Sequence, residues 1–522
     1  MLQTINLGMS FGGRKLFSGV NLKFTEGNCY GVIGANGAGK STLMKILSGE
    51  LESTEGEVVV GKNERMSVLV QNQNAFDDKT VLETVILGNK KLKQISDRRE
   101  ELYSKSEFSD AELNEMGELE EQFAAMRGYE AESDAEALLN SLEVDSNLFG
   151  QKMADIDAKA KVKVLLAQAL FGDPDILILD EPTNNLDYKT VKWLENFLLN
   201  FKNTVIIVSH NRHFLNTVCT HICDVDYGEI NIFFGNYDFW YETSQLLLKQ
   251  QKDANKKAEA RAQELKDFIA RFAANKSKSR QATSRRKELE KLTINDFKPS
   301  SRKYPFIDFK FEKEIGNEVL DVKNLTKKGL FENVSFRINK GEKVAFVSDD
   351  SQTVTTLFNI LGGLDSDFEG QVNWGKTITR SILPANYDNL FDVNLPLTKW
   401  IGQFTKENDE TFLRSWLGRM LFSGEEALKS SKVLSGGEKV RCMFAKLMLE
   451  GGNVLILDEP VNHLDLESIT ALNNALKNFK GVLLISSHDE ELLDTVVTRV
   501  IKINKTKVFD RETGYSEFLE KN

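Results

Sequence analysis

The sequence predicts an α/β protein in which two copies of one domain are joined by a helical hairpin. Three observations lead to this fold class: an internal repeat, short apolar runs that alternate with helical patterns, and a long charged segment with helical periodicity between the copies. At 522 residues the chain is too long for one hydrophobic core. Strands that alternate with helices favour a largely parallel sheet in each copy.

The repeat has two different offsets along the chain. Lys40 and Val354 occupy matching positions 314 residues apart, whereas Asp180 and Asp458 match at 278 residues apart. The difference of 36 residues is an insertion in the first copy, which we expect to form a helical arm at about 88–135. We therefore predict three parts: the first copy at 1–236, the linker hairpin at 237–305 and the second copy at 306–522.

A glycine-rich loop follows the first buried strand of the first copy. It reads GANGAGKS and lies between an apolar run and a helical pattern. Such a P-loop lets backbone N–H groups surround phosphate oxygens at the positive end of a helix. Lys40 is expected to reach the β- and γ-phosphates and Ser41 to ligate Mg²⁺. The loop therefore predicts a binding site for ATP and Mg²⁺ that is formed by Gly34, Asn36, Gly37, Ala38, Gly39, Lys40, Ser41 and Thr42.

Polar residues also end two later strands of the first copy. Asp180 and Glu181 follow the apolar run ILIL, and His210 follows the run VIIVS. Asp180 is placed to hold Mg²⁺, and Glu181 to orient or deprotonate the attacking water. His210 would contact the γ-phosphate. Together with the P-loop, these residues predict hydrolysis of ATP.

Four motifs together resemble those of ATP-binding cassette proteins. They are DEPTNNLD at 180–187, DEPVNHLD at 458–465, SGGE at 435–438 and a Ser-His pair in each copy. Two cassettes in one chain with a charged helical linker resemble the ABC-F family, and the short linker and insert look most like its YbiT type. The predicted fold is thus α/β, with two P-loop ATP-binding cassette domains joined by an α-helical hairpin linker.

The resemblance implies a composite ATP site. In the family, each ATP lies between the P-loop of one cassette and the Ser-Gly-Gly turn of the other. The first site would therefore combine the P-loop with four residues of the second copy, namely Ser435, Gly436, Gly437 and Glu438. By the same resemblance, Gln71 would assist Mg²⁺ binding and catalysis, and Phe11 would stack on the adenine ring.

The second ATP site lacks most of these features. At the offset of 314 residues, the segment 348–356 reads SDDSQTVTT in place of a P-loop, with Val354 where Lys40 stands in the first copy. Loss of the lysine removes a charge-assisted contact, and the two aspartates would repel a triphosphate. The opposing turn reads IDAKA at 156–160. We predict one hydrolytic site of the two, although Glu459 and His488 persist and leave open either a structural role or weak nucleotide binding.

The tip of the linker is cationic although the chain as a whole carries a net charge of -11. Six basic residues and no acidic residue lie at 276–287. Such a run suits contacts with phosphate backbones, and a solvated charge run is the alternative. The resemblance implies rRNA and tRNA of the ribosome, near the tRNA exit site, as partners of Lys276, Lys278, Arg280, Arg285, Arg286 and Lys287. The acidic arm favours a basic ribosomal protein over RNA, and a solvated helical hairpin without a partner is the alternative.

The resemblance implies a cytoplasmic ATPase that acts as a monomer, with its two cassettes forming an intramolecular dimer. ATP would close the cassettes on the ribosome, and hydrolysis would release them. We expect no membrane segment because no run of 18 apolar residues and no signal peptide is present. Two alternatives remain open: an ABC-F protein that protects the ribosome from antibiotics, and the ATPase component of a transporter. A DNA-processing ATPase is disfavoured, because such proteins need much longer coiled coils.

Overall fold

The computed structural model describes residues 1–12, 14–62, 64–70, 72–105, 108–184, 186–272, 284–289, 302–407, 409–505 and 507–521. The chain forms two compact units. The first comprises Met1–Ser209 and Phe214–Ser301, and the second comprises His210–His213 and Arg302–Asn522. Both units mix parallel strands with helices, which confirms the predicted α/β class. The division into three parts at 236 and 305 stays a prediction.

The first unit contains two sheets. One is antiparallel, with the order β2-β1-β3 and with β5 paired to β1, and the other has the order β10-β9-β4-β8-β7-β6. The strands are β1 (Leu2–Phe11), β2 (Arg14–Val20), β3 (Lys23–Phe24), β4 (Cys29–Gly34), β5 (Glu55–Val60), β6 (Met66–Val68), β7 (Ile176–Asp180), β8 (Thr204–Val208), β9 (His221–Asp226) and β10 (Glu229–Phe234). The helices are α1 (Lys40–Leu47), α2 (Val81–Ile86), α3 (Lys90–Tyr103), α4 (Asp110–Ala125), α5 (Ala131–Ser141), α6 (Ala158–Leu170), α7 (Tyr188–Asn200), α8 (Arg212–Val218) and α9 (Tyr237–Phe272), of which α8 begins within the short 210–213 stretch of the other unit.

Strands β4 and β8 are buried along their whole length, which explains their continuous apolar sequences. Strand β8 lies between β4 and β7 and pairs parallel with both. The carboxyl ends of all three strands therefore meet at one edge of the sheet. The predicted P-loop follows β4 at this edge, and the predicted acid pair follows β7.

The predicted arm region is helical. Helices α3 and α4 lie against each other through three ion pairs: Arg98 with Glu115 at 2.8 Å, Arg99 with Glu120 at 2.7 Å, and Lys105 with Glu112 at 2.6 Å. Helix α4 contains only acidic charges, and the basic partners all lie on α3 or directly after it. Three acidic side chains of α4 are thus neutralised within the arm.

The linker begins with the 36-residue helix α9, and residues 284–289 are also helical. The Arg261 guanidinium pairs with Glu288 at 2.7 Å, so the segment 284–289 lies against α9. Ala262 and Leu265 are buried, whereas Leu246 and Leu247, which belong to the same apolar pattern, are exposed.

The second unit repeats this architecture. Its sheets have the orders β12-β11-β14 and β15-β16-β17-β13-β18-β19. The strands are β11 (Glu318–Lys327), β12 (Phe331–Asn339), β13 (Lys343–Val347), β14 (Glu369–Trp374), β15 (Arg380–Leu383), β16 (Val454–Asp458), β17 (Val482–Ser486), β18 (Arg499–Asn504) and β19 (Lys507–Arg511). The helices are α10 (Ser351–Gly362), α11 (Leu397–Gly402), α12 (Glu410–Arg419), α13 (Gly436–Glu450), α14 (Leu466–Asn478), α15 (Glu490–Val496) and α16 (Tyr515–Glu520). Within the described ranges, no helix combines the length and hydropathy needed to cross a membrane.

Candidate functional site

The first P-loop joins β4 to α1 and depends on its glycines. Gly37 has φ 77° and Gly39 has φ 106°, both in the left-handed region that residues with a side chain rarely adopt. At Gly34, an added Cβ would lie 2.5 Å from the carbonyl oxygen of Val225. The loop conformation and its packing against β9 therefore both require glycine.

Lys40 is the first residue of α1, and its side chain turns back into the loop. The ammonium nitrogen donates to the carbonyl oxygen of Gly34 at 2.7 Å and lies 3.4 Å from that of Ala35. Lys40 is buried, with 8% of its surface exposed. A cation is thus held beside the helix N-terminus, where backbone amides favour an anion. Ser41 and Thr42 follow in the first turn of the same helix.

The predicted acid pair lies at the same sheet edge as the P-loop. Asp180 ends β7, and the backbone N–H of Glu181 donates to the carbonyl oxygen of Val208 on β8 at 2.8 Å. Glu181 has φ 52°, which is an unfavourable backbone conformation that costs on the order of 1–3 kcal/mol. The turn after β7 therefore holds the backbone of Glu181 in a strained conformation at the sheet edge where the P-loop follows β4.

Three other predicted residues lie apart from this cluster or cannot be placed within it. Phe11 ends β1 in the antiparallel sheet and is 50% exposed. This exposure leaves its ring accessible for stacking. His210 belongs to the short stretch 210–213 of the second unit. Gln71 lies outside the described residues.

Ser435, in the second unit, caps the N-terminus of α13. Its hydroxyl accepts a hydrogen bond from the backbone N–H of Glu438 at 3.4 Å, and the Glu438 carboxylate accepts one from the N–H of Ser435 at 2.9 Å. This reciprocal pair is a capping box. Lys429 lies 3.0 Å from the Glu438 carboxylate and fixes it further.

The two glycines after Ser435 are required by close packing. A Cβ at Gly436 would lie 2.9 Å from Cγ of His463, and a Cβ at Gly437 would lie 2.6 Å from the His463 carbonyl oxygen. His463 follows the second acid pair, Asp458 and Glu459, and has φ 65°. The Ser435 turn and the loop after β16 therefore form one packed structure.

The corresponding turn of the first copy has a different cap. The Asp157 carboxylate accepts a hydrogen bond from the N–H of Ala160 at 2.8 Å at the start of α6. A carboxylate thus occupies the helix N-terminus that a phosphate would need. The sequence DAK in place of SGG therefore changes both the charge and the backbone packing of this turn.

The second P-loop is replaced by a longer helix. Helix α10 begins at Ser351, three positions before Val354, the counterpart of Lys40. The Asp350 carboxylate accepts a hydrogen bond from the N–H of Gln352 at 3.1 Å. Asp349, one of the two aspartates predicted to repel a triphosphate, pairs with Lys502 at 2.8 Å while its side chain stays 74% exposed. Val354 is 2% exposed and packs into the core.

The surviving acids of the second copy interact with the chain itself. Burial raises the pKa of Asp458 to about 6, and the Thr355 side chain, at the position that matches Ser41, hydrogen bonds to it. Burial also raises the pKa of Glu459. The Glu459 carboxylate accepts a hydrogen bond from the N–H of His488 at 3.2 Å, and the His488 ring lies 3.4 Å away. The second copy thus offers a triphosphate neither a lysine nor a glycine-rich loop, whereas the first P-loop has both, with the Lys40 ammonium held at its centre.

Part of the cationic linker run falls within the described residues. Arg285, Arg286 and Lys287 are exposed in the helical segment 284–289, and Arg285 pairs with Glu288 at 2.5 Å. Lys276, Lys278 and Arg280 lie outside the described residues.

Sequence reasoning missed several contacts at these sites. Neither Lys502 nor the hydrogen bond from Thr355 to Asp458 was identified, and the packing of His463 on the Ser435 turn was not expected. The available signals were the repeat, which pairs Thr355 with Ser41, and the two glycines, which indicate a close backbone approach.

Comparison with known proteins gives matches over both copies and the linker. The family profile described as ABC transporter matches residues 17–184 and 331–462, and a second profile with that description matches 223–309. The chain is 52% identical over 526 residues to the uncharacterized ABC transporter ATP-binding protein YkpA of Bacillus subtilis, covering 100% of this chain and 97% of the relative. It is 43% identical over 524 residues to the probable ATP-binding protein YbiT of Escherichia coli, covering 99% of each chain.

A third relative has a more specific name. The energy-dependent translational throttle protein EttA of Haemophilus influenzae is 32% identical over 526 residues, covering 97% of this chain and 92% of the relative. Among solved structures, the archaeal ribosome recycling factor aABCE1, in complex with the ribosomal stalk protein aP1, aligns with a TM-score of 0.63 at 18% identity, over 99% of this chain and 92% of that one. At this identity the likeness concerns the fold.

The fold and the first P-loop define a tandem-cassette protein whose domains are of the class that hydrolyses ATP and in general binds it with Mg²⁺. Within that class, the chain belongs to the ABC-F family, as the sequence motifs predicted.

Proposed function

We propose that the protein is a ribosome-binding factor of the ABC-F family that uses one ATP as a switch. The observation that carries this proposal is that one P-loop and one helix-capping turn are intact, and that they belong to different cassettes. The P-loop of the first cassette and the Ser435 turn of the second retain their required glycines, whereas the second P-loop and the Asp157 turn are both closed by their own carboxylates. The intact pair and the closed pair are each the two halves of one site in the head-to-tail arrangement of the family.

The proposed chemistry is positioning and charge stabilisation around the γ-phosphate. Lys40 and the N-terminus of α1 would neutralise the phosphates, and the N-terminus of α13 would do so from the other cassette. Ser41, Asp180 and Gln71 would hold Mg²⁺, which polarises the phosphoryl group. Glu181 would orient or deprotonate the attacking water, with His210 at the γ-phosphate.

The turn after β7 fixes the backbone of Glu181 at the sheet edge that also carries the P-loop, because its N–H donates to the carbonyl oxygen of Val208 on β8. Glu459 has the same backbone geometry, with φ 47° and its N–H bonded to Ser486, so this turn belongs to both cassettes. Phe11, exposed at the end of β1, is proposed to stack on the adenine ring.

The ribosome is proposed as the partner because a 32% identical relative is named as a translational throttle and because the linker carries a cationic run. The basic linker residues, including Arg285, Arg286 and Lys287, would contact rRNA and tRNA near the tRNA exit site through phosphates. The acid-rich helix α4 would contact a basic ribosomal protein. We propose that the protein acts in the cytoplasm as a monomer.

The test is co-sedimentation of the full chain with ribosomes in the presence of Mg-ATP. Wild type is compared with Glu181→Gln and with the matched variant Glu459→Gln. We expect Glu181→Gln to remain on ribosomes after washing, because ATP is bound but not hydrolysed, and Glu459→Gln to behave as wild type. Equal trapping of both variants would contradict the single-site proposal. Absence of all variants from the ribosome pellet with every nucleotide would contradict the ribosome assignment.

A further inference from the structure

A buried ion pair marks the point at which the chain enters the second unit. Arg302 is the first residue of the continuous part of that unit, and its guanidinium lies 2.9 Å from the carboxylate of Glu467. The two side chains are only 8% and 6% exposed. Buried charges are costly unless they are paired, and such pairs often fix a unique geometry rather than add stability. The pair therefore fixes the position of Arg302 relative to Glu467.

The segment after Arg302 is fixed along its length. The backbone N–H of Phe306 donates to the carbonyl oxygen of Arg419 at 2.8 Å, and the Arg419 guanidinium lies 5.6 Å from the Phe306 ring. The Phe309 ring packs against Phe444 on α13 and Phe479, with centroid distances of 6.5 and 6.2 Å. The segment that follows Arg302 thus packs on the second cassette at Arg419, Phe444 and Phe479.

Glu467 lies in the first turn of α14, directly after the loop that packs on the Ser435 turn. His463 in that loop contacts Gly436 and Gly437, and Asp465 caps α14 by accepting the N–H of Ser468 at 2.8 Å. Arg441 of α13 lies 4.0 Å from Asp465. A continuous chain of contacts therefore runs from the Ser435 turn, through the start of α14, to the end of the linker.

The first copy lacks this arrangement at the same position. At the offset of 278 residues, Lys189 takes the place of Glu467. Its side chain is 78% exposed, and its carboxylate partner Glu143 is 3.8 Å away. By contrast, the neighbouring pair is retained, because Lys163 contacts Asp187 at 2.8 Å where Arg441 faces Asp465. Glu467 and Lys189 thus differ in both charge and burial, whereas Asp187 keeps the charge of Asp465 but is more exposed.

We propose that Arg302 and Glu467 form a joint that couples the Ser435 turn to the linker hairpin. Both are positioning residues: neither touches nucleotide, and each acts by transmitting movement of α14 to the C-terminal leg of the hairpin. This inference rests on the proposed function, in which the Ser435 turn is one half of the ATP site. It adds the route by which ATP at that site changes what the hairpin can bind.

The test uses Glu467→Lys, which introduces the residue of the first copy and repels Arg302, and the milder Glu467→Gln. The full chain also carries Glu181→Gln so that ATP persists. Hydrogen exchange in α9 is measured with and without Mg-ATP, and ribosome co-sedimentation is measured in parallel. We expect ATP affinity to stay within about twofold, while the ATP-dependent change in ribosome affinity falls about tenfold. The ATP-dependent change in hydrogen exchange of α9 is expected to be lost as well.

Two further variants separate coupling from stability. Asp510→Asn removes the carboxylate that lies 2.6 Å from the Arg499 guanidinium. This ion pair is in the same unit but far along the sequence from the linker. The variant should therefore leave the response of α9 to ATP intact. The double variant Arg302→Glu with Glu467→Lys restores opposite charges and should recover at least about half of the response.

The outcomes distinguish failure of the Arg302–Glu467 joint from failure of the ribosome assignment. An unchanged ATP response of α9 in folded Glu467→Lys, or an equal loss in Asp510→Asn, would overturn the joint. If Glu467→Lys does not fold, Glu467→Gln must show a partial loss for the proposal to stand. If wild type does not bind ribosomes at all, the ribosome assignment fails, and the exchange data on α9 still decide whether the joint exists.

Discussion

The two P-loop positions show how one fold can keep or lose a phosphate site at the start of the same helix. In the first cassette, the loop is held open by glycines in the left-handed region, and α1 begins only at Lys40. In the second cassette, α10 begins three residues earlier, and Asp350 caps it. The sheet and the helix are retained in both. A carboxylate of the chain thus caps the helix in the second cassette, where the first cassette has a glycine-rich loop.

The largest expected contrast comes from one substitution at matching positions. Lys40→Ala removes the cation beside the phosphates, and we expect ATP hydrolysis to fall at least about 100-fold. Val354→Ala should leave hydrolysis within about twofold and lower the free energy of unfolding by about 2 kcal/mol through a core cavity. Steady-state phosphate release and urea denaturation measure both effects. A large loss of hydrolysis in Val354→Ala would mean that the second P-loop position takes part in the reaction.

The next contrast concerns the two turns that begin α13 and α6. Gly437→Ala places a Cβ 2.6 Å from the His463 carbonyl oxygen, so the loop after Glu459 must move. We expect ATP hydrolysis to fall about tenfold, because α13 can no longer present its N-terminus in the same position. The matched variant is Lys159→Ala in the exposed first turn of α6, which should hydrolyse ATP as wild type does. Equal losses would show that the Asp157 turn also acts on nucleotide.

A smaller effect should appear as a pH dependence of stability. The pKa of Asp458 is about 6 in the folded chain against an ordinary value of 3.8, so the fold favours the neutral acid. Its contribution to stability is therefore complete below pH 3.8 and is lost as the pH rises through 6. We expect Asp458→Asn to raise the free energy of unfolding of the nucleotide-free protein at pH 8 by up to about 3 kcal/mol, and by less at pH 5.

Denaturation at several pH values with and without Mg²⁺ tests this expectation. The gain from Asp458→Asn should be the same in both conditions, since the carboxylate is already hydrogen bonded to Thr355. If Mg²⁺ stabilises the wild type and abolishes the gain, the second site binds metal and the interpretation of a self-closed site is wrong.

The smallest expected effect comes from the cap of α10. Asp350→Ala should lower the free energy of unfolding by about 1 kcal/mol, because the N-terminal amides lose their acceptor, while Asp350→Asn should change it much less. Neither variant should alter ATP hydrolysis or gain a second bound nucleotide. Thermal melts and nucleotide binding of both variants check this. A gain of ATP affinity in Asp350→Ala would show that the carboxylate alone blocks the second site.

The sequence was sufficient for the repeat, the family and the location of the intact P-loop, because each depends on local patterns or fixed offsets. It was not sufficient for the fate of Asp349. Its partner Lys502 is distant in sequence and is brought near by the parallel pairing of β13 with β18, in which Val347 lies opposite Lys502. The strained φ of Glu181 and the contact of His463 with the glycines likewise depend on strand order and loop packing, which no local pattern specifies.

The central claim is that each chain binds one ATP, and counting bound nucleotide tests it most directly. Glu181→Gln is equilibrated with saturating Mg-ATP, and bound nucleotide per chain is measured by equilibrium dialysis. The account predicts one ATP per chain, and none when Lys40→Ala is added. Two ATP per chain, or one that survives Lys40→Ala, would contradict it.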